Sequence, residues 1–304
     1  MLALVSMLLI GLAGCASSPG GNGAATSTAG TGAPTSTAGG AAAGKLPHFD
    51  HIVIVIEENQ NYDQIMGGTD TPYLHSLAQQ GVVFTNAHAV EHPSEPNYLA
   101  LFAGSTFGLT SDDCPQSFAP PDLGGELLAH GLRFTGYSES MPRAGFTGCD
   151  DGSTAADGDP LYARKHNPWV NFADVPAASN QPFSSYPSDF GQLPTVAFVV
   201  PNQSNDMHSG SIAAGDKWLQ QHLDAYVRWA PAHNSLLIVT WDEDDEATEA
   251  NHILTLFVGA HVQPGQSGQT LDHYTVLRTI EALYGLPFTR QAASAKTIAD
   301  VWQP

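Results

Sequence analysis

The chain has 304 residues, 42% of them hydrophobic, with 10 basic against 30 acidic side chains and a formal net charge of −20. That length and apolar content suit one large α/β domain or two small ones. The charge argues against a nucleic-acid partner and against docking on anionic lipid, while 13 His beside so many carboxylates suffice to build a metal or proton-transfer site.

The N-terminus is apolar from Met1 to Gly14 and runs into Leu12-Ala13-Gly14-Cys15. A membrane-spanning helix needs about 20 residues, so this shorter segment reads as a secretory signal core. Leu-Ala-Gly-Cys resembles a bacterial lipobox, which makes residues 1–15 a lipoprotein-type signal with Cys15 as the lipidated residue. No Lys or Arg precedes the apolar run, a departure from such signals, and an ordinary cleaved signal is the alternative. Both place the protein outside the cytoplasm, either secreted or held at the membrane through the lipid anchor alone. Residues 16–45 are Ala, Gly, Ser, Thr and Pro, a composition that buries no core and reads as a flexible tether.

The folded domain is expected over 46–304. His51 to Ile56 predicts a strand buried on both faces, since Ile52–Ile56 is an unbroken, β-branched apolar run. Glu57, Glu58 and Asn59 follow at its C-terminal end, where open α/β sheets bind ligands. Pro72–Gln80 predicts a helix stopped by Gly81, and Val82–His88 a second strand. Asn97–Ala103 and Leu123–His130 read as helices, Leu132–Tyr137 as a strand. Residues 138–190 are rich in Gly, Pro, Ser and Asp, and so long an irregular stretch is expected to be functional. In an oxidising compartment Cys114 and Cys149 are expected to pair and staple it. Thr195–Val200, Ser235–Trp241 and Ile253–Val258 predict further strands, Ala213–Trp229 and Tyr274–Tyr284 helices. The alternation predicts a three-layer α/β/α sandwich on a mostly parallel sheet.

Chemistry-bearing clusters follow the predicted strands. Ser94 lies in the proline-bracketed turn His92-Pro-Ser-Glu-Pro-Asn97 before a helix, which suits either a nucleophile beside an anion or an N-cap. Asp206 and His208 sit in a Gly- and Ser-rich loop after a strand, as ligands, an acid/base pair or solvated groups. Asp242-Glu-Asp-Asp245 begins where a buried strand ends, with His252 beyond it.

In register, these pieces resemble the bacterial phosphoesterase family of acid phosphatases and phospholipases C. The matching segments are His51-Ile-Val-Ile-Val-Ile-Glu-Glu-Asn59, Pro93-Ser-Glu-Pro-Asn-Tyr98 with Gly104-Ser-Thr106, Val200-Pro-Asn202 with Asp206-Met-His208, Thr240-Trp-Asp-Glu243, and Asp272-His-Tyr274 with Arg278-Thr-Ile-Glu281. The resemblance implies an alkaline-phosphatase-like fold and a hydrolase of phosphate esters. It implies Glu58, Asn59, Asp242 and Glu243 as ligands of a divalent metal ion, and Ser94 as the nucleophile. It further implies roles in metal or phosphate binding for Asp206, His208 and His273. In this reading His208 serves as the proton donor, while Asn97, Asp206 and His273 bind substrate. Oxygen donors favour Ca²⁺, Mg²⁺ or Mn²⁺; a histidine ligand makes Zn²⁺ or Fe equally suitable. The short chain and the Ile56-Glu-Glu-Asn-Gln-Asn-Tyr-Asp63 form of the first motif point to the acid-phosphatase branch acting on a small phosphomonoester. A phospholipase C and a non-catalytic surface-binding lipoprotein are the alternatives.

Overall fold

β1, His51–Glu57, is the axis of the structure, and all seven of its residues are buried. The computed structural model describes residues 46–303 apart from 156 and 248. The signal, Cys15 and tether expectations therefore lie outside the described residues, except that the folded chain is already described at residue 46. Burying each aliphatic side chain of Ile52–Ile56 contributes about 2 kcal/mol, which explains why a run with no polar break takes the centre of a sheet.

The remaining strands are β2 (Val82–His88), β3 (Phe134–Ser138), β4 (Asn180–Pro182), β5 (Val196–Val200), β6 (Ser235–Trp241), β7 (His252–Gly259) and β8 (Gly265–Ser267). They form one sheet in the order β4-β3-β5-β1-β6-β7-β2-β8. Among them β7 alone runs against its neighbours β6 and β2; every other pairing is parallel. The mostly parallel sheet is thus as expected. Strands β4 and β8 were not anticipated, because three-residue edge pairings carry too little pattern to read.

The helices are α1 (Tyr62–Met66), α2 (Pro72–Gln80), α3 (Ser94–Ala103), α4 (Leu123–Ala129), α5 (Ile212–Trp229) and α6 (His273–Tyr284). They pack as two groups, α3 with α4 and α6, and α2 with α5. β1, β5 and β6 are buried along their whole length, as covering on both faces requires. Short α1 was missed, although its capping box was legible: Asn61 accepts from the Gln64 backbone while Gln64 reaches back to the Asn61 N–H. Helix α3 begins at Ser94, three residues earlier than expected, and ends on Gly104 in the left-handed region at φ 68°. Among the described residues no helix is long and apolar enough to cross a membrane.

The irregular stretch after β3 is ordered by short 3-10 turns, including Arg164–His166 and Pro168–Asn171. Trp169 packs so closely on β3 that a Cβ on Gly136 would lie 2.2 Å from its ring. The expected disulfide joins Cys114 to Cys149 across a separation of 35 residues.

Candidate active site

Register builds the site. β1 pairs with β6 so that Glu57 lies beside Trp241, and the Asp242 N–H donates to the Glu57 carbonyl at 3.0 Å. The next residues of each strand, Glu58-Asn59 and Asp242-Glu243, therefore leave the sheet side by side. The Glu58 N–H donates to the Asp206 carbonyl at 2.8 Å, which ties in the loop after β5. Asn59 turns the chain with φ 49°, a conformation Asn tolerates better than most residues.

The acidic side chains meet in the interior. Glu58, Asp206, Asp242 and Glu243 are all buried. The Ser94 hydroxyl donates to Glu243 Oε1 at 2.9 Å and stands 3.5 Å from Glu58 Oε2. Ser94 is the first helical residue after Pro93, and Pro93 is the N-cap; the Ser94 side chain faces carboxylates and does not cap the helix. Asn59 donates its backbone N–H to Asp242 Oδ1 at 3.3 Å and its side-chain amide to Glu243 Oε1 at 3.4 Å. The Tyr98 hydroxyl donates to Glu58 Oε1, and His92 Nδ1 contacts Glu243 Oε2.

Burial, followed by repulsion from Asp206, pushes the Glu58 carboxyl well above its usual range. Burial and then Glu58 do the same to Asp242, and burial raises Glu243 against the opposing pull of Ser94 and His92. So much buried negative charge stands only if protons or a cation neutralise it.

Of the other expected residues, Asp206 is buried here, its carboxyl raised chiefly by burial and also by Glu57 and Asp242. His273, first residue of α6, sits beneath the cluster with Nε2 2.6 Å from the Asp242 carbonyl. His208 lies toward the outer side, its Nδ1 3.7 Å from Asp157 Oδ2 and 3.8 Å from Asp159 Oδ2. Burial and then Lys165 lower its imidazole pKa. Asn97 spends its side chain on backbone: it accepts from the Val90 and Glu91 N–H groups and donates to the Glu91 and Pro93 carbonyls. These bonds hold the loop that carries His92 and Ser94.

Two residues went unnoticed in the sequence. Buried His166 stacks on Tyr98 and points Nε2 to within 3.3 Å of Glu58 Oε1. Burial, then Lys165, holds the imidazole pKa well below its usual value. A neutral imidazole forms no ion pair, so the contact is not a salt bridge. Lys165 beside it donates to Asp112 Oδ2 at 2.8 Å. Neither residue shows a spacing signal; both are delivered by a 3-10 turn inside the irregular stretch.

The arrangement fits a metal ion. The ligating atoms of Glu58, His166 and Asp206 lie within 4.8 Å of one another. Among the described residues, four buried polar atoms find no hydrogen-bond partner at this edge of the sheet: Asn59 Oδ1, Asp242 Oδ2, Asp206 Oδ2 and His166 Nε2. Orphaned buried acceptors are rare and call for a cause; a cation would serve Asp206 and His166, which cluster with Glu58, while Asp242 and Glu243 fall in no such cluster among the described residues. Asp157, Asp159 and His208 form a second, more exposed group of potential ligands.

The Phosphoesterase family matches residues 68–287. Over 266 residues, 86% of each chain, the sequence is 52% identical to a phosphatidylinositol-3-phosphatase of Mycobacterium tuberculosis. It is 31% identical over 252 residues to an acid phosphatase of Aspergillus fumigatus, a match that takes in 79% of this chain and 56% of that one. Among solved structures, an alkaline phosphatase superfamily protein from Vibrio parahaemolyticus superposes with a TM-score of 0.55 at 16% identity, over 84% of this chain and 71% of that one. A lipoteichoic acid synthase from Listeria monocytogenes gives a TM-score of 0.56 at 12% identity, over 83% and 76%. The chain belongs to the Phosphoesterase family and is a phosphoric ester hydrolase on an alkaline-phosphatase-like fold.

Proposed function

We propose that this protein is a metal-dependent phosphomonoesterase with Ser94 as its nucleophile. The observation that carries the reading is the Ser94 hydroxyl between Glu243 and Glu58, amid buried ligating atoms that lack partners. Glu58, Asn59, Asp242 and Glu243 hold the metal, with His166 and Asp206 beside Glu58. Bound there, a divalent cation neutralises phosphate oxygens and favours an ionised hydroxyl.

The chain's own residues do the rest. Glu243 accepts the Ser94 proton across the 2.9 Å hydrogen bond. The Ser94 oxygen bonds to phosphorus as the bond to the ester oxygen breaks; water then bonds to phosphorus, losing a proton to His208, as the bond to Ser94 breaks and Glu243 returns its proton to the serine oxygen. His208, at the outer side, protonates the departing alcohol oxygen in its imidazolium form, which its lowered pKa confines to acidic pH. His273 holds the Asp242 backbone in place through its 2.6 Å contact. The relative named as a phosphatidylinositol-3-phosphatase makes a monoester on an inositol lipid a substrate to test beside small esters. The disulfide supports an extracytoplasmic site of action, and the Leu-Ala-Gly-Cys15 sequence supports a lipid anchor.

The test uses the purified protein and p-nitrophenyl phosphate. Phosphate release is expected, with loss on EDTA treatment and recovery on adding back a divalent cation. Ser94→Ala is expected to lower kcat by at least about 10³-fold. Release of a phosphorylated headgroup from phosphatidylcholine at a higher rate would favour the phospholipase C reading. An Ser94→Ala enzyme of undiminished kcat would remove the nucleophile assignment.

A further inference from the structure

A cleft of about 250 Å³ opens beside the disulfide, and its lining includes Asp112, Asp150, Asp159, Lys165 and Gln203. Lys165 is the one cation in that lining. Its neighbour His166 reaches Glu58, and the Lys165 ammonium lies near enough to Glu58 and Asp242 to interact electrostatically with both.

The ammonium is held in place but not used up. Asp112 accepts the Lys165 N–H with Oδ2 at 2.8 Å and, with Oδ1, the Glu95 N–H at 2.9 Å. The anchor of Lys165 is thus fixed to the first turn of α3, directly beside Ser94. An ammonium has three donors, and Lys165 shows this single hydrogen bond among the described residues. Nearby Arg164 differs: its Nη1 and Nη2 donate to Thr147, Gln116 and Asn171. In the same cleft wall, buried Gln203 leaves Oε1 without a partner among the described residues. Asp112, Asp150 and Asp159 would repel a phosphate dianion in this cleft, and Lys165 is the cation in its lining that would attract one.

Building on the phosphatase reading, we propose that Lys165 binds the substrate's phosphate, with Asp112 positioning it. Its two spare N–H donors grip the phosphoryl oxygens as the ester comes to Ser94, and they retain orthophosphate after hydrolysis. A charge-assisted contact of this kind is worth about 10- to 100-fold in affinity.

The experiment compares full-length wild type with Lys165→Gln and Lys165→Arg. KM and kcat are measured on p-nitrophenyl phosphate, and orthophosphate affinity by isothermal titration. Lys165→Gln is expected to raise KM and the orthophosphate Kd by about 10- to 100-fold, with kcat less affected, and Lys165→Arg to recover most of the loss. A purely structural lysine would lower Tm and leave the orthophosphate Kd alone. Acetylation of wild type gives a readout free of mutation: orthophosphate should protect Lys165 and leave exposed Lys217 and Lys296 reactive. Turnover by wild type with KM and Kd unchanged in Lys165→Gln overturns the role of Lys165 and leaves the phosphatase reading standing. Lys165-dependent orthophosphate binding without ester hydrolysis does the reverse. Absence of orthophosphate binding and protection in wild type removes the proposal.

Discussion

Glu57 and Glu58 are adjacent in sequence and differ in every contact. Glu58 receives Tyr98 and Ser94 and faces His166. Glu57 is equally buried, yet both its oxygens lack a partner among the described residues, and burial, Glu139 and Asp216 push its carboxyl well above the usual range. A group held neutral without hydrogen bonds contributes little that an amide would not. Glu57→Gln should therefore keep kcat/KM within about threefold, whereas Glu58→Gln should lower it at least about 100-fold and weaken metal retention; elemental analysis and kinetics check both. The opposite pattern would place the wrong carboxylate in the site. Asn97 supports a different expectation. Removing its four backbone contacts in Asn97→Ala should cost about 2–3 kcal/mol, read by urea unfolding. KM should change less than stability if its work is to hold the 90–93 loop.

At the scale of elements, what was legible is what periodicity and end signals encode. The apolar run of β1, the Gly104 and Gly285 stops and the acid-ended β6 are local, and they fall where the sequence puts them. So do Glu58-Asn59 and Asp242-Glu243, because a strand fixes where its last residue points. His166 and Lys165 were illegible for the complementary reason. They sit on a three-residue 3-10 turn in a loop whose path is set by long-range ties: Arg164 to Gln116, Trp169 to Asn180, and Cys114 to Cys149. The local pattern around Asn97 suits a site and a loop brace equally, and its side-chain bonds to the loop backbone depend on the path of residues 90–93. The disulfide gives the testable consequence. Closing a loop of this length contributes about 3–4 kcal/mol in the chain-entropy picture. Cys114→Ser with Cys149→Ser should lose stability of that order in urea unfolding. It should also raise KM more than it lowers kcat, since the bond lines the cleft that holds Lys165.

For the whole molecule, charge and buried carboxyls act in the same direction. The net charge of −20 at pH 7 makes self-repulsion grow as pH rises. Burial also lifts Glu95, Asp122 and Glu281 to about 7 each. Glu281 is the cleanest case, because it lies on α6 away from the acidic cluster. It accepts the Thr289 N–H at 3.0 Å and the Thr289 hydroxyl at 2.7 Å, while Oε2 has no partner among the described residues. Those bonds lock the segment whose Gln291 N–H donates to Gly104, the residue that ends α3. A carboxyl with a raised folded-state pKa is protonated in the native protein while its unfolded counterpart has already ionised. The native state then binds more protons, so this contribution to stability is whole below about 4.5, falls as pH climbs, and is lost once pH passes about 7. Glu281→Gln keeps the acceptor for Thr289 and abolishes the titration. At pH 5 wild type should be at least as stable as the variant; at pH 8 the variant should be the more stable, by at most about 3 kcal/mol. Calorimetric Tm values for both proteins across that range decide the matter. A wild-type-minus-variant difference that stays constant from pH 5 to 8 would mean that Glu281 is already ionised in the native protein.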